Sequence, residues 1–159
     1  MSNQHSFTIT LSNNQTEKEG ILYLQSQDPH FILPDSKLRK LILRNIGISD
    51  KFYRTFDMIY SPGAIVQGNI IIIPDITKVT LIELKTTKKR LPNNPQGFFF
   101  GATENEFNLA ELLGDQYKFC FVCLHPDCPS HKLLSLTELD SIIRTKRIQY
   151  QINLGKVSI

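Results

Sequence analysis

Glu83 and Lys85 stand two residues apart in the run Ile82-Glu83-Leu84-Lys85-Thr86-Thr87, which ends an apolar, β-rich stretch beginning at Val79. On a strand, alternate side chains share a face, so this carboxylate and ammonium would point the same way while Leu84 points into the opposite layer. Burying such a pair on an otherwise apolar strand is costly unless something uses it. Metal-dependent phosphodiester cleavage is a chemistry that does. The acid would hold a divalent cation, and the lysine would orient the attacking water and stabilise charge at the phosphate. A surface ion pair on an edge strand has the same spacing, so other residues must agree.

One carboxylate seldom holds a cation alone. Asp57 lies inside the hydrophobic segment Thr55-Phe56-Asp57-Met58-Ile59, and Asp75 follows Pro74. With residues 74–77 as the tip of a hairpin, a rise of about 3.3 Å per residue puts Asp75 roughly 20 Å from Glu83. An acid within a hydrophobic strand demands an explanation, whereas an acid in a Pro-Asp turn does not. Asp57 is therefore the expected first acid and Asp75 the alternative. Glu17 or Glu19 on the first helix is a candidate third. Residues 64–73 are expected as a strand between Asp57 and the motif, with Asn69 or Gln67 opposite Glu83.

Residues 88–97 form a basic, proline-broken loop directly after the motif. Lys88, Lys89 and Arg90 offer charge to phosphates, while Asn93, Asn94 and Gln96 offer amides to base edges. A plain solvated loop would have the same composition.

The elements that must position these residues follow from periodicity and punctuation. Residues 7–11 alternate weakly, as a short strand would, and residues 12–27 read as a helix with Gly20 as its weak point. Asp35 or Ser36 caps a second helix, with Leu38, Leu41, Ile42 and Ile46 at helical spacing and Gly47 at its end. The opposite face of that helix bears Lys37, Arg39, Lys40 and Arg44, a solvated face or a nucleic-acid contact. Residues 52–60, 64–73 and 78–87 read as three strands in a meander, and Gly68-Asn69 offers a bend within the second. Thr103 with Glu106 forms a capping box for a helix whose packing stripe is Phe107, Ala110 and Leu113. Residues 117–124 are apolar throughout except Lys118, as in a strand buried on both faces. Thr137 with Asp140 opens a last helix over residues 137–147. Ile148, Tyr150, Ile152 and Leu154 then alternate with polar residues as a half-exposed strand. The expectation is a mixed β-sheet flanked by helices, of α/β (α+β) class.

Asp57, then Glu83-x-Lys85 at a strand end, then a helix and a buried strand, resembles the PD-(D/E)xK nuclease superfamily over residues 52–124. That superfamily includes many restriction endonucleases, some homing endonucleases and junction resolvases. The resemblance implies a restriction-endonuclease-like fold, with Asp57 and Glu83 as metal-binding acids and Lys85 as the catalytic lysine. Mg2+ or Mn2+ would be the cofactor and double-stranded DNA the substrate. The literal Pro-Asp pair, Pro74-Asp75, sits closer to Glu83 than is usual in that superfamily.

With 159 residues, the chain is long enough for a single core, expected as one domain. Its helical part covers about 1–48, its catalytic core about 52–124 and its C-terminal helix and strand about 137–154. A net charge of +3 leans basic, which suits contact with a polyanion on one face. No apolar stretch reaches transmembrane length, and the polar start Met1-Ser2-Asn3-Gln4-His5 is unlike a signal peptide. Three cysteines without scaffold spacing suit a reducing, cytoplasmic setting. Cys123, His125, Cys128 and His131 invite zinc by residue type, in a spacing that matches no standard module. Phe98, Phe99 and Phe100 are expected in a core or an interface. The resulting expectation is a Mg2+-dependent endonuclease of restriction type. A chain this small would cut both strands only as a homodimer on a palindromic site. A homing endonuclease, a resolvase or a catalytically silent nucleic-acid-binding domain are the alternatives.

Overall fold

A computed structural model describes the backbone of residues 2–158 and the side chains of residues 15–158. The strands are β1 (Phe31–Ile32), β2 (Met58–Tyr60), β3 (Ile65–Gln67), β4 (Ile70–Ile72), β5 (Thr80–Thr87), β6 (Tyr117–Cys123) and β7 (Ser130–Leu134). The α-helices are α1 (Ser2–Gln27), α2 (Ser36–Asn45), α3 (Glu104–Leu113) and α4 (Leu136–Ile142). Five strands form one mixed sheet in the order β1-β2-β5-β6-β7, parallel between β5 and β6 and antiparallel elsewhere. The class is mixed α and β, with helices on both faces.

The apolar run of β6 explains the layering, because a strand without a polar side must be covered twice. On one face Leu24 of α1 packs with Met58, Ile82, Leu84, Cys120 and Val122. On the other, Ile42 and Leu43 of α2, Leu109 and Ala110 of α3 and Leu139 of α4 pack with Ile59, Leu81, Phe119 and Phe121. Each such side chain contributes roughly 1.5–3 kcal/mol by leaving water. Glu83 and Lys85 share the parity of Leu81, so they face α3.

α1 approaches β5 most closely at Gly20. A Cβ there would lie 2.5 Å from the Thr86 methyl, so glycine is what lets the helix lie on the strand. The expected weak point is a packing point.

Several expectations are corrected. Residues 7–11 belong to α1 instead of a strand, since neither Gly nor Pro interrupts the helix there and Thr costs only tenths of a kcal/mol. Residues 52–60 supply strand only at Met58–Tyr60, after a 3-10 turn at Asp50–Phe52. Arg39 takes the Phe56 and Asp57 carbonyls that a longer ladder would have used (2.8 Å to Asp57). Residues 64–73 are two strands, folded into a hairpin at Gly68, whose φ of 60° suits a tight turn. That hairpin pairs only with itself, so β2 lies directly beside β5 and neither Asn69 nor Gln67 stands opposite Glu83. Buried α3 positions are Glu106, Leu109 and Ala110, with Phe107 and Leu113 at the margin.

α4 is capped two residues earlier than expected, at Ser135, and ends at Ile142. Ser135 and Glu138 make its capping box in place of Thr137 and Asp140, and this register buries Leu139. Residues 148–154 pair with no strand among the described residues, and their apolar side chains are exposed. β7 is a strand that no pattern announced: Ser-His-Lys-Leu-Leu neither alternates nor is β-branched, and the free edge of β6 templates it. No helix among the described residues is long and apolar enough to cross a membrane.

Candidate active site

The register of β2 on β5 pairs Met58 with Ile82, Ile59 with Leu81 and Tyr60 with Thr80. Asp57 lies just before this ladder, close enough for its charge to act on Glu83. The Asp57 N–H donates to the Ile82 carbonyl (2.8 Å). The Asp57 carboxylate accepts from the Leu84 N–H (2.7 Å). One oxygen of the acid is thus fixed against the motif strand. Arg39 holds the backbone from behind and lies over the Phe56 ring. Glu17, one turn before Gly20 on α1, brings its carboxyl against that of Asp57.

Lys85 lies between two acids. Its ammonium is 3.1 Å from Glu83 Oε1 and 2.7 Å from Glu106 Oε1, and all three side chains are largely buried. The Phe100 ring lies 5.9 Å from the same ammonium. Glu106 also caps its own helix. Its other oxygen accepts from the Thr103 N–H, and its N–H donates to the Thr103 hydroxyl (3.2 Å). One residue therefore starts α3 and aims Lys85.

Four acids, Glu17, Asp57, Glu83 and Glu106, crowd one lysine and one arginine, and the proton affinities record it. Burial raises the Glu83 carboxyl to about 11, helped by its hydrogen bond with Glu106 and the charge of Asp57. Burial also acts against Glu106, yet hydrogen bonds from Glu83, Lys85 and Thr103 prevail and hold it near 2. Glu83 is thus the member that keeps a proton. Burial and then the adjacent Asp57 raise Glu17 as well. Burial works against the Lys85 charge, but Glu83 and Glu106 outweigh it and raise the ammonium above its ordinary value.

The other expected site residues lie elsewhere. Asp75 caps the 3-10 turn Ile76–Lys78, accepting from the Thr77 N–H (3.0 Å) and hydroxyl (2.6 Å), fully exposed. Glu19 pairs with Lys88 (3.4 Å) at the surface. Lys89, Arg90, Asn93 and Gln96 ring the loop after β5, with Arg90 3.8 Å from Asp127. Asn94 turns inward, donating to the Phe121 carbonyl (2.9 Å) and the Ser130 hydroxyl (3.1 Å), so it braces β6 and β7. Phe98 and Phe100 both pack edge-on against Phe121, and Phe99 between them is 96 % exposed.

Two residues escaped sequence reasoning. Glu106 was accounted for as a cap, and only its spare oxygen hinted at more. Arg39 was counted among the cations of the α2 face, and nothing in its spacing marked it.

Among the described residues no three His, Cys, Asp or Glu side chains are gathered as a metal-holding group. The zinc candidates are dispersed: Cys123 and Cys128 approach to 3.8 Å, His131 packs edge-on against Tyr23 and Phe31, and His125 accepts from the Asp127 N–H. The acids, as they stand, have Glu83 turned onto Lys85. Their chemistry nonetheless fits a hard cation: Asp57, Glu83 and Glu17 offer only oxygen, and two of the three are pushed toward protonation by burial and mutual repulsion. A divalent cation would relieve the charge that a proton now relieves.

The surface carries two depressions among the described residues. One of about 350 Å3 between α3 and α4 is lined by Glu111, Asp115 and Asp140 and repels anions. The other, of about 390 Å3, is lined by Pro34, Ser36, Arg39, Tyr53 and Arg54 and shares Arg39 with the Asp57 backbone. Lys40 lies over the Tyr53 ring (4.7 Å). Comparison with family models, with curated proteins and with solved structures finds no match for this chain.

Proposed function

We propose that this chain is a metal-dependent DNA endonuclease of PD-(D/E)xK type, with Asp57 and Glu83 as metal-binding acids and Lys85 as the catalytic lysine. The observation that carries this reading is the hydrogen bond from the Leu84 N–H to the Asp57 carboxylate, which fixes that acid on the motif strand beside Glu83 and Lys85. Mg2+ or Mn2+, when bound, would supply positive charge at the phosphate and make a water easier to deprotonate. The chain's own groups do the rest. Asp57, pinned by the Leu84 N–H, would offer the cation its carboxylate beside that of Glu17. Glu83 would hold the cation after giving up its proton to solvent and its contact with Lys85, and Glu106, 2.7 Å from the ammonium, would keep Lys85 in place. Burial of all these groups strengthens their charge interactions with the reacting phosphate.

Substrate binding follows the cations. The depression bearing Arg39 and Arg54, the α2 residues Lys37 and Lys40, and the loop residues Lys88, Lys89 and Arg90 supply phosphate contacts around the acids. Asn93 and Gln96 remain available to base edges. A restriction-type enzyme of this size acts as a homodimer on a palindromic site, and the free Cys120, Cys123 and Cys128 suit a reducing, cytoplasmic setting. A second reading, a catalytically silent DNA-binding domain, draws on one observation: Lys85 is already engaged by two carboxylates.

Cleavage of plasmid, phage, single-stranded and branched DNA with Mg2+ or Mn2+ separates the two. Wild type should give discrete products, and Asp57→Ala, Glu83→Ala and Lys85→Ala should each reduce cutting at least 100-fold while remaining folded. Preference for branched DNA would move the assignment to a resolvase. No cutting of any substrate by folded wild type, with DNA binding intact, would select the silent domain.

A further inference from the structure

Two segments of this chain carry a strand's sequence pattern and expose apolar side chains, with nothing covering them among the described residues. The first is the β3–β4 hairpin. Ile65, Val66, Ile70 and Ile72 are between 47 and 63 % exposed. The pairing of Ile65 with Ile72 and Gln67 with Ile70 gathers Ile65, Ile70 and Ile72 on its outer face, while Ile71 and Ile73 pack toward the core. The two strands pair only with each other, so both outer edges keep unpaired backbone donors and acceptors. The second segment follows α4. Ile148, Tyr150, Ile152 and Leu154 alternate with Gln149, Gln151 and Asn153 and are between 79 and 85 % exposed. Exposure that high means the body of its own chain does not cover it.

Charge is missing from both. Residues 64–73 and residues 148–155 contain no Asp, Glu, Lys or Arg, although charged residues make up 21% of the chain. Exposed strands are usually protected from pairing by inward charges, Pro or bulges. These two carry no charge or proline, and one presents an apolar row where the other presents an apolar face and two open edges.

We infer that the occupant of the hairpin is a second copy of this chain: the 148–154 segment of one protomer adds as a third strand to the β3–β4 hairpin of its partner. Backbone hydrogen bonds to an open hairpin edge give the attachment, and the alternating side chains set the register. Ile148, Tyr150, Ile152 and Leu154 extend the outer face formed by Ile65, Ile70 and Ile72. The exchange is reciprocal, so one two-fold axis satisfies both copies. The inference goes beyond the nuclease reading and does not depend on it.

The experiment uses the full chain without DNA or metal: sedimentation equilibrium from 1 to 100 μM together with amide hydrogen exchange. Two variants are compared with wild type, Ile70→Lys in the hairpin and Ile152→Lys in the tail. Both positions are exposed, and circular dichroism checks that the core stands. Wild type should be a dimer, and each variant should weaken association at least 30-fold. Amides of residues 65–72 should lose protection in the tail variant, and those of residues 148–154 in the hairpin variant. A wild type that is monomeric at 100 μM, a dimer untouched by either change, or hairpin protection that persists in the tail variant would each overturn the inference. A dimer without nuclease activity would defeat the functional proposal and leave this one standing.

Discussion

Glu83 sits beside Lys85, Glu106 and Asp57 in a largely buried site, and its carboxyl keeps a proton that a solvated glutamate would release. Its folded value of about 11 lies above the ordinary 4.5, so folding takes up a proton within that window and stability falls as pH rises through it. Glu106 runs the other way. Held near 2, it contributes stability above pH 4.5 that is lost as pH falls toward 2. Replacing Glu83 with Gln keeps the shape and removes the uptake, while Lys85 retains Glu106. We expect Glu83→Gln to stabilise the fold by about 1–2 kcal/mol at pH 8. Calorimetry should show a Tm gain of roughly 3–6 °C there, shrinking toward pH 5. A Tm unchanged or lowered at pH 8 would show that Glu83 is ionised in the folded protein.

α3 and α1 each tie the site to an element that is needed for other reasons. Thr103→Ala removes one cap hydrogen bond and should cost about 1 kcal/mol in urea unfolding. Glu106→Ala removes the cap and also one of two partners of a buried ammonium, so roughly 2–4 kcal/mol is expected. Glu106→Gln can still cap, so a cost near zero for that variant would mean that the Lys85 ion pair adds nothing. α1 depends on the missing side chain at Gly20. Gly20→Val would press a branched side chain onto Thr86, which is itself branched and has little room to turn. The helix should lift from β5 at a cost of about 1–3 kcal/mol, displacing Glu17 from Asp57. Equal stability of Gly20→Val in urea would rule out the tight α1–β5 contact.

At the scale of the molecule the cations act together. Replacing Lys37, Lys40 and Arg54 with Ser should weaken DNA binding and reduce the slope of log K against log salt by about 1–3, measured by fluorescence anisotropy between 50 and 200 mM salt. An unchanged slope would place the DNA elsewhere. How much of this was legible in sequence follows from where each signal resides. Glu83 and Lys85 were legible from spacing, and Asp57 from being an acid where apolar residues belong. β5, β6, α2 and the cap of α3 carry their patterns locally. β7 does not, because its pairing comes from β6, and the direct contact of β2 with β5 was hidden by the hairpin between them. Residues 148–154 show a strand's pattern without a strand's partner. The return of the chain to the same place has one more consequence. Tyr60 and Thr80, where the main sheet is left and rejoined, are paired neighbours; Ile71, Ile73 and Val79 anchor the stretch between them on the core, and the turn at Gly68 is its free segment. Loop-closure entropy grows slowly with length, so that segment can be lengthened or remodelled with little effect on where Asp57 and Glu83 stand. A lineage of such chains could change its companions at this tip while its chemistry stays in place.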